Sequence, residues 1–192
     1  MSKVKTGMKL PKFAVIKTEP ANALPTYDTE IVTIGEAITG NLTVNQASGE
    51  LYSDDALNIK VTDFSNGSLS LETDGLDDEV ATVIFGATSA EGLVTYSAGD
   101  VAPNGGLTYY VPMRDKTGTA YYKGYYFPKV QAAMGNDNAS TRGSSISFQT
   151  ASTTFTVMKC NSEVWMQTEI LETESAAVTW CETKLGKTTN AS

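Results

Sequence analysis

The chain has 192 residues, 41% of them hydrophobic, which is enough apolar material for one compact domain and too little for two full ones. Its 14 Lys and Arg stand against 22 Asp and Glu, a formal net charge of -8, which argues against gripping nucleic acid by phosphate neutralisation. Histidine is absent, which removes the commonest general base, the commonest metal ligand and any Ser-His or Cys-His nucleophile pair.

Residues 1–12 carry several lysines and little pattern, and are expected to form an N-terminal arm without much structure of its own. No apolar h-region follows them, so no secretory leader is read. The domain proper is expected over 13–186, opening with a strand at Phe13–Lys17. A loop holding Pro20, Asn22 and Pro25 comes next, then strand character from Glu30 to Glu36.

The stretch from Gly40 to Glu72 alternates most clearly. Leu42 and Val44 interleave with Asn41, Thr43 and Asn45; Ile59 and Val61 with Lys60 and Thr62; Leu69 and Leu71 with Ser68, Ser70 and Glu72. Each run predicts a strand with one buried and one wet face, the pattern of an antiparallel sheet. Between the first two lies Gly49, Glu50, Leu51, Tyr52, Ser53, Asp54, Asp55, Ala56 and Leu57, which reads as a long polar loop. Ser65-Asn66-Gly67 reads as a hairpin turn, because Asn and Gly tolerate positive φ.

A short helix is expected after Asp77, with Asp78 and Glu79 in its first turn, Gly86 at its exit and Val80, Val83 and Ile84 on one face. Strands follow at Leu93–Ser97, Leu107–Met113 and Ala120–Lys129. The last two flank the charged turn Arg114–Gly118 as a long hairpin rich in Tyr109, Tyr110, Tyr121, Tyr122, Tyr125, Tyr126 and Phe127. Strands with aromatics are more often packed than ligand-binding, so these rings are assigned to the core. A polar loop spans residues 135–143. Strands are predicted at Ser145–Thr150, Phe155–Met158 and Val164–Thr168. A closing helix is capped by Thr173, with Ala177, Trp180 or Cys181, and Leu185 on one face, and Gly186 ends it. Residues 187–192 form a polar tail expected to fray.

No constellation points to chemistry. Asp77, Asp78 and Glu79 suit a helix N-terminus, and Asp54-Asp55 sits in the polar loop, so neither reads as a glycosidase pair. Lys116–Thr119 lacks the upstream glycines of a phosphate loop, and Asn136-Asp137-Asn138 lacks the spacing of a calcium loop. Cys160 and Cys181 match no zinc spacing and are read as reduced thiols. No cofactor, metal or membrane insertion is expected, and no catalysis.

The ordered set of segments nevertheless resembles one family. Leu51–Ala56, Phe64–Leu71, Leu76–Val80 with Phe85–Thr88, Asp100–Pro103, Tyr126–Val130 and Ser145–Thr150 are together similar to the major tail tube proteins of long-tailed phages, the phi-thirteen type. The likeness runs from about residue 30 to 186, with Ala132 standing where that family often has an aromatic and Ala151 where it usually has proline. It implies a mainly β fold with two short helices, a sandwich or half-barrel whose sheets join laterally into a hexameric ring. Stacked rings would make a hollow virion tail tube, assembled in the host cytoplasm. Its partners would be further copies of itself, and the tape measure, distal tail and tail terminator proteins; genomic DNA would pass through without specific contacts. On that reading Asn41, Thr43, Asn45, Lys60, Thr62, Ser68, Ser70 and Glu72 are candidates for lining the lumen, with ordinary solvent exposure as the alternative. The Gly49–Leu57 segment is the candidate inter-subunit loop. A tube of a contractile phage-tail-like particle is the nearest rival. An immunoglobulin-like surface adhesion module is another, against which stand the unread leader and the late cysteines.

Overall fold

The computed structural model describes residues 3–53, 56–134 and 150–187. Among these, the strands are β1 (Val4–Lys5), β2 (Lys9–Thr18), β3 (Thr26–Tyr27), β4 (Val32–Thr33), β5 (Ala37–Ser53), β6 (Ala56–Thr73), β7 (Thr88–Ala90), β8 (Leu93–Thr95), β9 (Asn104–Arg114), β10 (Ala120–Met134), β11 (Ala151–Met158) and β12 (Gln167–Leu171). The helices are α1 (Asp78–Phe85) and α2 (Glu174–Lys184). The protein is therefore mainly β with two short helices. The main sheet runs β3-β2-β9-β10-β11-β6-β5, with β1 also on β9, β4 also on β2 and β12 also on β10, while β7 and β8 pair separately. Every strand pair is antiparallel.

The sheet curls hard. In a flat sheet β2 and β11, three steps apart, would lie about 14 Å from each other at the usual strand spacing. Instead the Phe13 and Phe155 rings meet with centroids 6.1 Å apart. The concave side encloses one core built from Phe13, Leu69, Leu71, Leu107, Phe127, Val130, Phe155 and Val157, over which α1 lays Val80, Ala81, Ile84 and Phe85. A β-bulge between Phe127 and Val130 divides β10: its first half carries β12 and its second half carries β11 on the same side.

Helix α2 covers the convex side. Ala177, Cys181 and Leu185 lie one face down against Tyr110, Tyr126 and Ala14. Thr173 caps it by accepting the Ala176 N–H at 3.2 Å, as its sequence predicts. Of the two alternatives for its middle contact, Cys181 is fully buried, while the Trp180 ring lies against Gly124, where an added Cβ would come within 2.5 Å of it. Lys9 and Lys12 of β2 pair with Glu174, at 2.9 Å, and with Glu182. These pairs hold both carboxyls below their ordinary range.

The first helix matches its prediction in position, and Gly86 takes the left-handed conformation at its exit, φ 73°; the Asp77 side chain, however, makes no capping bond. The β9–β10 hairpin is also where the sequence puts it. Differences appear elsewhere. The N-terminal segment is strand at Val4–Lys5, paired with β9, and again from Lys9, where a bulge between Lys9 and Lys12 accommodates Pro11, with Leu10 at φ 57°, and lets the lysines reach α2. Strand character in 30–36 contracts to β4. The last strand starts at Gln167 in place of Val164, since Trp165 and Met166 turn into the core. The polar loop at 135–143, the strand at 145–150 apart from Thr150, and the tail beyond Lys187 lie outside the described residues.

The largest correction concerns residues 37–73. The expected three strands, loop and turn are one hairpin, β5 paired with β6 from Ala37↔Thr73 to Ser53↔Ala56. Gly49–Ser53, Ala56 and Leu57 are strand, not loop, with Asp54 and Asp55 outside the described residues. Ser65-Asn66-Gly67 is no hairpin turn but a bulge within β6.

Candidate functional site: a polar ladder and a projecting arm

The base of the β5–β6 hairpin belongs to the body. Leu42, Leu69 and Leu71 point into the core, so their neighbours Asn41, Thr43, Ser68, Ser70 and Glu72 point the other way. Register places Asn41 opposite Ser70, Thr43 opposite Ser68, and Asn45 opposite Asn66. The next strand continues the rows, with Ser152, Thr154 and Thr156 opposite Glu72, Ser70 and Ser68. The result is a ladder of short hydroxyl and amide side chains across three strands. Asn45 donates to Asn66 at 2.7 Å, and Glu72 accepts from Thr39 at 3.2 Å and from Thr150 at 2.6 Å. Farther along these rows Lys129 is already paired with Glu19 at 2.8 Å. Such a surface is polar and weakly charged, and among the described residues these rows carry no cationic cluster that would hold a phosphate.

The bulge changes what lies beyond. Asn45 faces Asn66, yet Gln46 faces Phe64, so Ser65 is the extra residue and the alternation of β6 slips by one. A slip of one residue exchanges the faces of a strand. Phe64 turns to the core side and stacks on Trp165, ring centroids 4.4 Å apart and planes 6° from parallel. Lys60 and Thr62 follow Phe64 to that side. They therefore leave the other six lumen candidates, with which the sequence reading had grouped them as the polar faces of separate strands. Ile59 and Val61 are carried to the ladder side in exchange, where Leu51 of β5 already lies.

Past Gly67, β6 loses its third strand, since β11 ends its pairing there. Every described residue from Gln46 to Asp63 is exposed, and the two strands project as a ribbon. Leu51, Ile59 and Val61 stay 56%, 50% and 51% exposed, with Tyr52 and Leu57 bare nearer the tip. The opposite side carries Lys60 paired with Glu50 at 2.8 Å. An isolated two-stranded ribbon is marginal in water, and an apolar stripe on one is a docking signal. The signal for the bulge was present in the sequence, since Asn-Gly inside a strand run marks a bulge as well as a turn.

A cleft of about 790 Å³ is lined by Met8, Lys9, Leu10, Glu36, Asp74, Asp77 and Tyr110. Its Asp74 carboxylate is engaged by the Glu36 N–H at 2.8 Å, and its Lys9 by Glu174. Among the described residues no group of three or more His, Cys, Asp or Glu is placed to hold a metal ion. Both cysteines are free and buried, and burial pushes the Cys181 thiol up to about 12. Among the described residues no helix is long and apolar enough to cross a membrane. A scan against protein-family models and a search of curated proteins both find no match for this sequence.

Proposed function

We propose that this chain is the repeating subunit of a hollow tube, of the kind formed by the major tail tube proteins that its sequence resembles. One observation carries the reading: the outer parts of an 18-residue and a 17-residue strand leave the body as a ribbon whose apolar stripe no other described residue of the chain covers. A protein that folds to act alone has no use for that stripe. A protein that polymerises uses it to reach the next copy.

The open borders support the same reading. Within the described residues β5 pairs only with β6, β3 only with β2, and β12 only with β10, which leaves strand edges at both ends of the curled sheet. Unpaired edges template association, and closing them round a ring removes them. A ring of six copies would join these edges laterally. The arms would cross to the neighbouring ring, and head-to-tail stacking of this kind propagates without limit.

The ladder of Asn41, Thr43, Asn45, Ser68, Ser70 and Glu72 would line the channel. A lumen of small polar groups, in a chain of net charge -8, repels the phosphate backbone and lets DNA slide. The protein would then be a component of the virion tail, without catalysis, meeting tape measure, distal tail and terminator proteins along and at the ends of the tube.

Negative-stain microscopy of the purified, concentrated protein tests this. Striated hollow filaments or stacked rings are expected, and a variant with residues 46–64 replaced by a short turn should stay folded and form none. A parent chain that stays monomeric at every concentration and after seeding with preformed ends would overturn the reading.

A further inference from the structure

The ribbon has a direction only if something sets its angle to the body, and the point where it leaves is built unlike the rest of it. Three features coincide there. The third strand stops at Gly67. The bulge at Ser65 interrupts the ladder, which bends and twists a strand locally. Immediately beyond, Phe64 is the first side chain of β6 on the arm side of the bulge that is not exposed, and it stacks on Trp165 at 4.4 Å.

Trp165 comes from the connection between β11 and β12, remote from the hairpin in sequence, and its ring is itself packed against the core. We propose that Phe64 and Trp165 form a clamp that fixes the angle of the arm to the body, so that Leu51, Ile59 and Val61 are presented to a second copy in one orientation. The bulge alone is a hinge, because a two-stranded ribbon joined through an unpaired residue can swing. Face-to-face stacking of two rings opposes that swing, because any rotation out of their common plane separates them and gives up the stacking attraction that an aromatic pair adds to its burial. The Asn45–Asn66 hydrogen bond braces the opposite side of the same junction. Phe64 and Trp165 are thus positioning residues, acting on assembly through the arm and touching no partner themselves. Their consequence for assembly rests on the tube reading; the clamp does not.

Two spin labels separate these. Because Cys160 and Cys181 are buried, cysteines introduced as Ser48→Cys on the arm and Thr156→Cys on the body take the label selectively. The parent should give one narrow distance distribution. Phe64→Leu, apolar but unable to stack, should widen it at least twofold with the melting temperature of the body unchanged, and Phe64→Tyr should restore it. Trp165→Met, read in the same way, serves if Phe64→Leu does not fold. In unlabelled chains Phe64→Leu should slow filament growth at least tenfold, with Phe64→Tyr close to the parent. A distribution as narrow in Phe64→Leu as in the parent overturns the clamp. A widened distribution with filament growth unchanged overturns its role in assembly. A parent that forms no filaments removes the tube reading and leaves the clamp to be decided by the distances.

Discussion

The two long hairpins of this protein, both antiparallel, behave oppositely. β9–β10 is covered on both sides. Tyr109, Tyr125 and Phe127 face the concave core, where the Tyr109 and Tyr125 rings stack at 4.9 Å. Tyr110 and Tyr126 face α2 and its surroundings, and Tyr27 donates to the Pro128 carbonyl at 2.8 Å beside Tyr126. β5–β6 is likewise antiparallel and, over about its outer half, has no cover on either side among the described residues. Strand pairing alone therefore says little about where stability resides. Cover does, and the uncovered hairpin is free to be an interface.

Substitution should separate the two hairpins first and most strongly. Phe127→Ala removes a fully buried ring and should cost about 3–5 kcal/mol in urea unfolding. Ile59→Ser or Val61→Ser on the arm should stay within about 0.5 kcal/mol of the parent. Those arm variants should nevertheless lose filaments by electron microscopy. Equal losses of stability in both hairpins would erase the distinction.

Alkaline titration offers the next contrast. Burial raises Tyr126 from its ordinary 10.0 to about 12, and raises Tyr27 and Tyr109 further. The contribution of Tyr126 to stability is fully present below pH 10 and is lost as pH rises through about 12, with those of Tyr27 and Tyr109 lost higher still. Absorbance at 295 nm should show these rings ionising only as near-ultraviolet circular dichroism is lost, since each must leave its cover to do so.

Acid should loosen the convex side by a smaller amount. Hydrogen bonds from Lys9 and Tyr110 hold Glu174 below its ordinary 4.5, and those from Lys12 and Lys187 do the same for Glu182. A depressed carboxylate stabilises above the unfolded value and loses that contribution as pH falls below 4.5 through the folded one. Amide exchange in α2 should accelerate over that window, and Lys12→Ala should shift the onset to higher pH. The arm should not respond with it. As small as the other arm substitutions, Lys60→Ala breaks an exposed pair with Glu50 and should change stability by at most about 0.5 kcal/mol.

Both helices were legible in the chain because their ends carry local chemistry: Thr173 and Gly86 make the capping conformations that such residues favour wherever they stand. The β9–β10 hairpin was legible because its apolar run is dense and its turn short. The polar faces around Leu42, Leu69 and Leu71 followed from period two. None of these depends on a distant partner.

What the sequence by itself determined, then, is the element types, the mainly β character with two helices, and most of the core. The single hairpin of β5 and β6, the exchange of Lys60 and Thr62 for Ile59 and Val61 on the ladder side, and the closure of Phe64 on Trp165 were decided in three dimensions. The physical reason is that Ser65-Asn66-Gly67 satisfies a turn and a bulge equally well as local backbone. Gly67 is buried against Val157 of β11, where an added Cβ would lie 3.2 Å from the valine Cβ, and this contact between strands about ninety residues apart favours the bulge. One extra residue, placed by that packing, sets which face of the arm is apolar.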